Sequence, residues 1–406
     1  MSWRTGLVLL LAAGGLCGLC GCGTPGPSPN GAQGTQVRAG SSCDTAVAAA
    51  PVLGAVSQAP VPVPGSPFSV VATADGRWSF VTLNSAVEVL SNRSPAPVAD
   101  RQVSVPGTPQ GERLTNDGRY LLVADGSGAV VIDVAKAEDG AAGAVLGTLS
   151  SPAGQGAVEV AVSPDDRFAF VTLELSESLA VFDLRKALAS GFGPADFAGT
   201  VPLGTAPVGL AVSPDGRWIY ATSESGRGAA AAQAAGQPAT GQADGTVTAI
   251  DLRQAETRPA DAVAGTVPAG CSPVRVVTSA GGKVVWVTAR GSDAVLGFSA
   301  AALRTDPGHA LLARVQVGEA PVGLALSANG QRLVVADSDR FSAKGATANL
   351  AVVNVSAALA GRPALLGLIP AGAFPREMTV IPRTDTLLVT DYLAEQVQAV
   401  NLATAP

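Results

Sequence analysis

A single histidine, His309, occurs in the 406 residues of this chain. Its surroundings, TDPGHALL, predict a peripheral connector between strands, away from any central site. A Ser-His-Asp triad, a histidine-ligated zinc centre and a haem attached through CxxCH each need a well-placed histidine. The sequence therefore argues against these three kinds of site and predicts no cofactor, with Ca²⁺ as the one alternative left open.

Charge is also scarce, since only 14% of the residues are charged and the formal net charge is −6. A nucleic-acid-binding protein normally carries a basic stripe, and this chain has none, so nucleic acid is excluded as a partner. The chain instead holds 48 glycines and 29 prolines. Many turn-forming residues combined with few charges are typical of a compact all-β architecture.

One pattern recurs seven times along the chain. Each copy has an alternating apolar strand, a turn such as SPDGR and a strand that ends in a sequence like YVT. The copies are FSVVATADGRWSFVT (68–82), ERLTNDGRYLLVA (112–124), VEVAVSPDDRFAFVT (158–172), VGLAVSPDGRWIYAT (208–222), VRVVTSAGGKVVWVT (274–288), VGLALSANGQRLVVA (322–336) and REMTVIPRTDTLLVT (376–390). Such a period predicts a seven-bladed β-propeller over residues 51–406, with four strands, A to D, in each blade.

Two sets of recurring carboxylates have a structural interpretation within this pattern. Asp75, Asp117 and Asp215 each precede a glycine in a predicted A–B turn, where tight hairpins need such residues. Asp133 and Asp183 each end a predicted strand C. Because the copies fall in separate blades, we expect them to cap backbone groups and not to ligate a metal.

The seventh copy contains no strand D after 398–402. The segment Val52–Val56, VLGAV, resembles the LGTV pattern of the other D strands. We therefore predict that this N-terminal segment completes the last blade and closes the ring, which removes exposed sheet edges.

The first residues predict a targeting segment. The apolar run 6–19 is shorter than the ~20 residues of a membrane-spanning helix. Leu19-Cys20-Gly21-Cys22 resembles a bacterial lipobox, which implies removal of residues 1–21 and lipidation of Cys22. Residues 22–50 would then be a flexible tether. The protein would be exported and lipid-anchored at the cell envelope, on its outer face or in the periplasm; an ordinary cleaved signal peptide is the alternative.

If Cys22 carries a lipid, Cys43 and Cys271 are the remaining cysteines in an oxidising compartment. This parity favours a disulfide between them. Two isolated thiols or an intermolecular bridge remain open.

The repeats resemble those of the YVTN family of seven-bladed β-propellers, also described as YncE-like or lactonase-like. The eponymous tetrapeptide reads FVTL (80–83), LVAD (122–125), FVTL (170–173), YATS (220–223), WVTA (286–289), VVAD (334–337) and LVTD (388–391). The resemblance extends over nearly all of residues 51–406. It implies a fold but not a reaction, because propellers host many unrelated functions.

Propeller ligands usually bind at the face formed by the D–A links and B–C loops, which we call the mouth face. At the start of the A strands we place Glu159, Arg275 and Glu377, and at the start of the B–C loops we place Arg290, Asp337 and Asp391. This mixed rim suits a cationic peptide, a polar metabolite or Ca²⁺. Solvated surface pairs are the alternative. The long B–C loop 223–245 is predicted to be mobile, and loop 337–348 is a further binding candidate.

Three functions follow from these features. The first is a monomeric, lipid-anchored, non-enzymatic module that binds an envelope protein, peptide or polymer through its mouth face. The second is a lactonase-like hydrolase in which Glu159 and Glu377 act as an acid–base pair beside Arg275. The third is a periplasmic accessory protein that binds a small metabolite or cofactor.

Overall fold

The computed structural model describes Cys43 and residues 47–93, 96–226, 244–327, 329–340 and 348–405. Strand β1 (Gln58–Pro62) comes first in the chain. Blades one to three follow as β2 (Val70–Ala72), β3 (Trp78–Thr82), β4 (Ala86–Ser91), β5 (Val98–Ser104); β6 (Glu112–Leu114), β7 (Tyr120–Asp125), β8 (Gly128–Asp133), β9 (Val145–Ser150); and β10 (Ala157–Val162), β11 (Phe168–Leu173), β12 (Ser178–Asp183), β13 (Phe197–Pro202).

Blades four to seven continue the same order. Their strands are β14 (Thr205–Val212), β15 (Trp218–Ser225), β16 (Asp244–Asp251), β17 (Val263–Cys271); β18 (Pro273–Thr278), β19 (Val284–Ala289), β20 (Ala294–Ser299), β21 (Leu311–Gln316); β22 (Pro321–Leu326), β23 (Arg332–Asp337), β24 (Asn349–Asn354), β25 (Leu365–Pro370); and β26 (Pro375–Val380), β27 (Thr386–Asp391), β28 (Gln396–Asn401).

The predicted seven-bladed β-propeller is confirmed. Seven four-stranded antiparallel sheets each follow chain order from the inner to the outer strand, and blade seven has the order β26-β27-β28-β1. The core lies between facing blades: Leu122 and Val131 of blade two, for example, share one buried cluster with Val171 and Phe182 of blade three. Because both faces of a blade are buried against the neighbouring blades, side chains on both faces of its strands are apolar, which explains the apolar repeats.

Short helices join strands C and D in five blades. They are α1 (Val134–Asp139), α2 (Leu184–Ser190), α3 (Leu252–Thr257), α4 (Ala302–Thr305) and α5 (Val355–Leu359). The predicted role of the strand C carboxylates as caps is confirmed, because Asp133 accepts from Lys136 N and Asp183 accepts from Lys186 N, both at helix N-termini. The turn aspartates are structural too: Thr73 donates its hydroxyl to Asp75 at 2.6 Å, which lowers the pKa of Asp75.

The ring is closed by an N-terminal strand, but the closing segment is not the one predicted. Gln58–Pro62 pairs with β28, with Gln58 opposite Val400. Val52–Val56 lies outside the sheet of blade seven, and Val52 makes an isolated parallel bridge with Leu368 of blade six. Burial explains the difference, since Val61 is 4% exposed and Val52 is 70% exposed.

A disulfide joins Cys43 to Cys271 at the end of β17, with 5.6 Å between the Cα atoms and 228 residues between the cysteines. It ties the segment before β1 to the link that enters blade five. Among the described residues, no helix is both long and apolar enough to cross a bilayer. The predicted signal segment and Cys22 lie outside the described residues.

Candidate functional site

In five of the blades the third residue of the motif is a threonine, and its hydroxyl accepts a backbone N–H of the inner strand beside it. Thr222 accepts the backbone N–H of Gly209 at 2.9 Å within blade four and donates to the Val274 carbonyl of blade five at 2.8 Å. Thr288 makes the same pair of bonds with Arg275 N and Val322 O. The motif therefore fastens neighbouring blades, and it brings the first inner-strand residues, including Arg275, to one level.

Three of the predicted site residues meet at this level. Arg275 donates from Nε to a Glu377 carboxylate oxygen, and the same Nε lies 3.6 Å from Oε2 of Glu159. The three side chains are nearly enclosed, at 6%, 14% and 13% exposure for Arg275, Glu377 and Glu159 respectively. The structure thus forms one buried acid–base cluster from blades three, five and seven.

One guanidinium facing two carboxylates leaves Glu159 only partly compensated. Burial, the largest effect, raises the pKa of Glu159; Arg275 lowers it and Glu377 raises it again, so that it reaches about 7. A carboxylic acid that titrates near neutrality can act as a general acid or base, or as a pH-sensitive hydrogen-bonding group.

Sequence reasoning missed a second buried acid in the ring. Glu112, on the inner strand of blade two, is 3% exposed, and burial raises its pKa well above the ordinary range. Neither of its carboxylate oxygens accepts a well-formed hydrogen bond, although the Thr82 backbone N–H approaches loosely. The signal was an acidic residue at a position that is apolar in other blades, as with Val160, Leu210 and Val276.

A central cavity of about 330 Å³ lies against this cluster. Its charged lining is Glu112, Arg113, Glu159, Arg275 and Glu377, and the remaining walls come from the next residues of the inner strands. This volume is at the lower end for small-molecule pockets, which run from about 300 to 1,000 Å³.

The predicted rim mixed residues from two neighbouring positions of the repeat. The placement of Asp337 and Asp391 on the rim was wrong. Both residues directly follow the motif's third residue, as Leu173 and Ala289 do in blades three and five. The true rim is one residue further along. It consists of Asn84, Gly126, Glu174, Glu224, Arg290 and Tyr392, whereas Ser338 at the equivalent place in blade six is only 2% exposed. Because strand side chains alternate, a one-residue slip turns a side chain to the other face.

Asp337 and Asp391 are fully buried and support the D–A links. Asp337 accepts the backbone N–H of Gly318 at 3.0 Å in the link into blade six. Asp391 accepts the backbone N–H of Gly372 in the link into blade seven, and also accepts Gln396 Nε2 at 2.8 Å. Burial raises the pKa of Asp337 well above its usual range and, despite the bond from Gln396, raises that of Asp391 to about 6. The structure assigns these two residues a supporting position and not a place on the exposed rim.

Arg290 does stand on the rim, where its Nη2 pairs with Oε2 of Glu224 at 2.6 Å. Glu174 is the rim residue of blade three, beside Glu224 in blade four. Burial and the charge of Glu224 raise the pKa of Glu174. Glu174 and Glu224 therefore compete for the same cation, Arg290.

Blade seven supplies a feature that sequence reasoning did not identify. Arg376 lies 3.8 Å from the ring centroid of Phe68, 5.2 Å from that of Phe374 and 5.3 Å from that of Tyr392. We call these four residues the Arg376 box. Arg376 and Phe68 take the places that valines fill in blades three to six, namely Val158, Val208, Val274 and Val322. That break in the valine ring was the available sequence signal.

No group of three or more His, Cys, Asp or Glu side chains in the described part of the chain is arranged to hold a metal ion. His309 is peripheral, as predicted: its side chain is 84% exposed and its Nδ1 lies 3.0 Å from Asp306. Most of loop 223–245, and residues 341–347 of loop 337–348, lie outside the described residues.

Comparison with known proteins supports the fold and part of the family resemblance. Residues 82–225 match the model of the family described as lactonase, 7-bladed beta-propeller. Among solved structures, Kuenenia stuttgartiensis hydrazine synthase is similar at a TM-score of 0.65 and 16% identity, covering 84% of this chain and 97% of that one. The Myceliophteria thermophila Cps50 (Swd1) β-propeller domain is similar at 0.60 and 13%, covering 83% and 96%. At these identities the likeness concerns the fold alone, and the comparison with curated proteins finds no match.

Proposed function

We propose that this seven-bladed propeller is a binding module, lipid-anchored at the cell envelope through Cys22, that holds a protein or peptide partner on its mouth face. The observation that carries the proposal is a pair of exposed leucines at equivalent places on that face. Leu175 is 76% exposed and Leu393 is 66% exposed. Each directly follows a rim residue, Glu174 in blade three and Tyr392 in blade seven.

The arrangement has the composition of a partner-binding surface. Two large apolar side chains flank a mouth that contains paired charges, arginines and aromatic rings. Protein interfaces are enriched in aromatic residues and arginine at their centres, and the two leucines add exposed apolar surface on separate sides of this mouth.

The anchor follows from the N-terminal sequence and fits the disulfide. If the lipid is on Cys22 and Cys43 is bonded to Cys271, the free tether is residues 22–42. A flexible chain of that length has a root-mean-square span of about 25 Å. The propeller would therefore stay close to the membrane. Replacement of Cys22 by serine should abolish incorporation of a labelled fatty acid, and unchanged labelling would contradict the anchor.

The binding role is tested by cross-linked capture from native membranes. The double variant Leu175→Ser/Leu393→Ser is compared with wild type and with Leu312→Ser, which changes a 46% exposed leucine on an outer strand. A stoichiometric partner should be captured by wild type and by the Leu312 variant and lost by the double variant. Equal capture by all three proteins, or no partner in any of them, would contradict the proposal.

A lactonase-like hydrolase is the second candidate, because Glu159 titrates near neutrality beside Arg275 in the central cavity and because part of the chain matches the lactonase family model. Hydrolysis of a sugar lactone, measured with and without Ca²⁺, tests it. The candidate requires a pH–rate profile with an inflection near 7 that Glu159→Gln removes. Rates equal to the buffer blank would eliminate it.

A further inference from the structure

Arg376 is an uncompensated cation among the described residues of the mouth. Arg275 and Arg290 each have a carboxylate within 4.0 Å, whereas none of the described carboxylates lies that close to Arg376. Its Nε is buried and has no hydrogen-bond partner. Glu174 and Glu377 act on it only from longer range. Burial, followed by the charges of Arg275 and Arg340, lowers the pKa of Arg376 to about 10.

The residue that frames Arg376 is held in an unfavourable backbone conformation. Phe374 has φ of 59°, in the left-handed region. The equivalent link residues of blades three to six share that conformation, but they are Gly156, Ala206, Ser272 and Ala320. The link therefore needs a left-handed residue and does not need a large one. A bulky side chain at such a position is a strained choice that points to a role beyond the fold.

Phe374 belongs to a continuous aromatic surface at the mouth. Its ring packs edge-to-face on Tyr392 with centroids 5.6 Å apart, and the Arg340 guanidinium lies 5.1 Å from the centroid of Phe374. Tyr392 is the rim residue directly before the exposed Leu393. The Arg376 box is thus continuous with the apolar part of the mouth face.

We propose that the Arg376 box is a receptor for a single carboxylate, carried by an acidic or C-terminal residue of the partner that the mouth face binds. A carboxylate matches the planar guanidinium with two parallel hydrogen bonds, one of which would satisfy the unpartnered Nε. A monoanion suits these largely apolar surroundings, because a dianion would bring a second charge that has to be desolvated. The proposal rests on the proposed function, but its test does not need the partner.

The test uses 4-fluorobenzoate and its neutral, size-matched analogue 4-fluorobenzamide as probes, with binding followed by ¹⁹F line broadening on the wild-type protein. The benzoate should bind and the benzamide should not. Arg376→Met keeps the aliphatic stem and removes the charge, and we expect about 10- to 100-fold weaker benzoate binding, the range for loss of a bidentate charge-assisted contact. Arg376→Lys keeps the charge without the planar fork. Its affinity for benzoate should lie between those of wild type and of Arg376→Met.

Arg119→Met is the matched control, because Arg119 also lies over an aromatic ring, 5.3 Å from the Tyr120 centroid, but next to an A–B turn at the other end of the strands. Its benzoate binding should equal that of wild type. Equal broadening of both probes, no binding of benzoate, or unchanged binding in a folded Arg376→Met protein would overturn the proposal. Stronger competition by inorganic phosphate than by acetate would also overturn it in favour of a phosphate receptor.

The two proposals fail in distinguishable ways. If benzoate binds through Arg376 but the leucine variants still capture the partner, the carboxylate receptor stands and the docking surface is wrong. If capture depends on the leucines but benzoate does not bind, the docking surface stands and the carboxylate receptor is wrong.

Discussion

At the scale of the residue, the threonine of the VT motif joins neighbouring blades through its hydroxyl group. The Thr222 hydroxyl satisfies a buried N–H of its own blade and a buried C=O of the next. Thr222→Val has nearly the same shape and removes both bonds. We expect a loss of about 1–3 kcal/mol in the free energy of unfolding, because two buried polar groups lose their partner. Urea unfolding measures it.

Thr222→Ser is the control, since serine keeps the hydroxyl and removes only a methyl group. It should lie closer to wild type than the valine variant does. A valine variant as stable as the serine variant would show that the hydroxyl does not fasten the blades.

The sequence identified the residues at the start of the inner strands correctly and those of the rim only partly. Glu159, Arg275 and Glu377 were predictable because the motif fixes their distance from the turn. Asp337 and Asp391 were misplaced because acidic residues occupy adjacent positions in different blades, and only the pairing register shows which position faces the mouth. The aromatic surroundings of Arg376 were missed because a motif built on shared residues does not draw attention to the one blade that departs from it.

At the scale of the element, the closing strand illustrates how proline can mislead. β1 reads QAPVP, and prolines are rare in strands, so the LGAV segment resembled a D strand more closely. Proline is nevertheless tolerated on an edge strand, where its missing N–H faces solvent. Pro60 and Pro62 are exposed while Val61 between them is buried. The fold was therefore predictable and the exact closing segment was not.

This assignment predicts a contrast between two valines. Val61→Asp places an unpaired charge between blades and should lower the free energy of unfolding by about 3 kcal/mol or more. Val52→Asp, at a 70% exposed position, should change it by no more than about 0.5 kcal/mol. Urea unfolding of the two variants compares them. A larger effect at position 52 would restore residues 52–56 as the closing strand.

At the scale of the whole molecule, several acids are buried in the ring and under its links. Burial raises the pKa of Glu112, Glu159, Asp337 and Asp391. In each case the folded protein holds a proton that the unfolded chain gives up at a lower pH. Above the pH at which the carboxyls of the unfolded chain ionise, these acids should therefore make the stability of the propeller fall as pH rises.

The last prediction follows from the sign of that linkage. The pKa of Glu159 is about 7 against an ordinary 4.5, and that of Asp391 is about 6 against 3.8. Each contribution is fully present below the unfolded pKa and is lost as pH rises through the folded one. The free energy of unfolding should fall between pH 5 and pH 8, by at most about 3 kcal/mol for each group.

Urea unfolding across this pH range measures the fall in stability, and Glu159→Gln with Asp391→Asn should flatten the slope. Asp385→Asn, at an exposed position, should leave it unchanged. A stability that stays level or rises from pH 5 to pH 8 would show that the pKa values of these carboxyls are not raised in the folded protein.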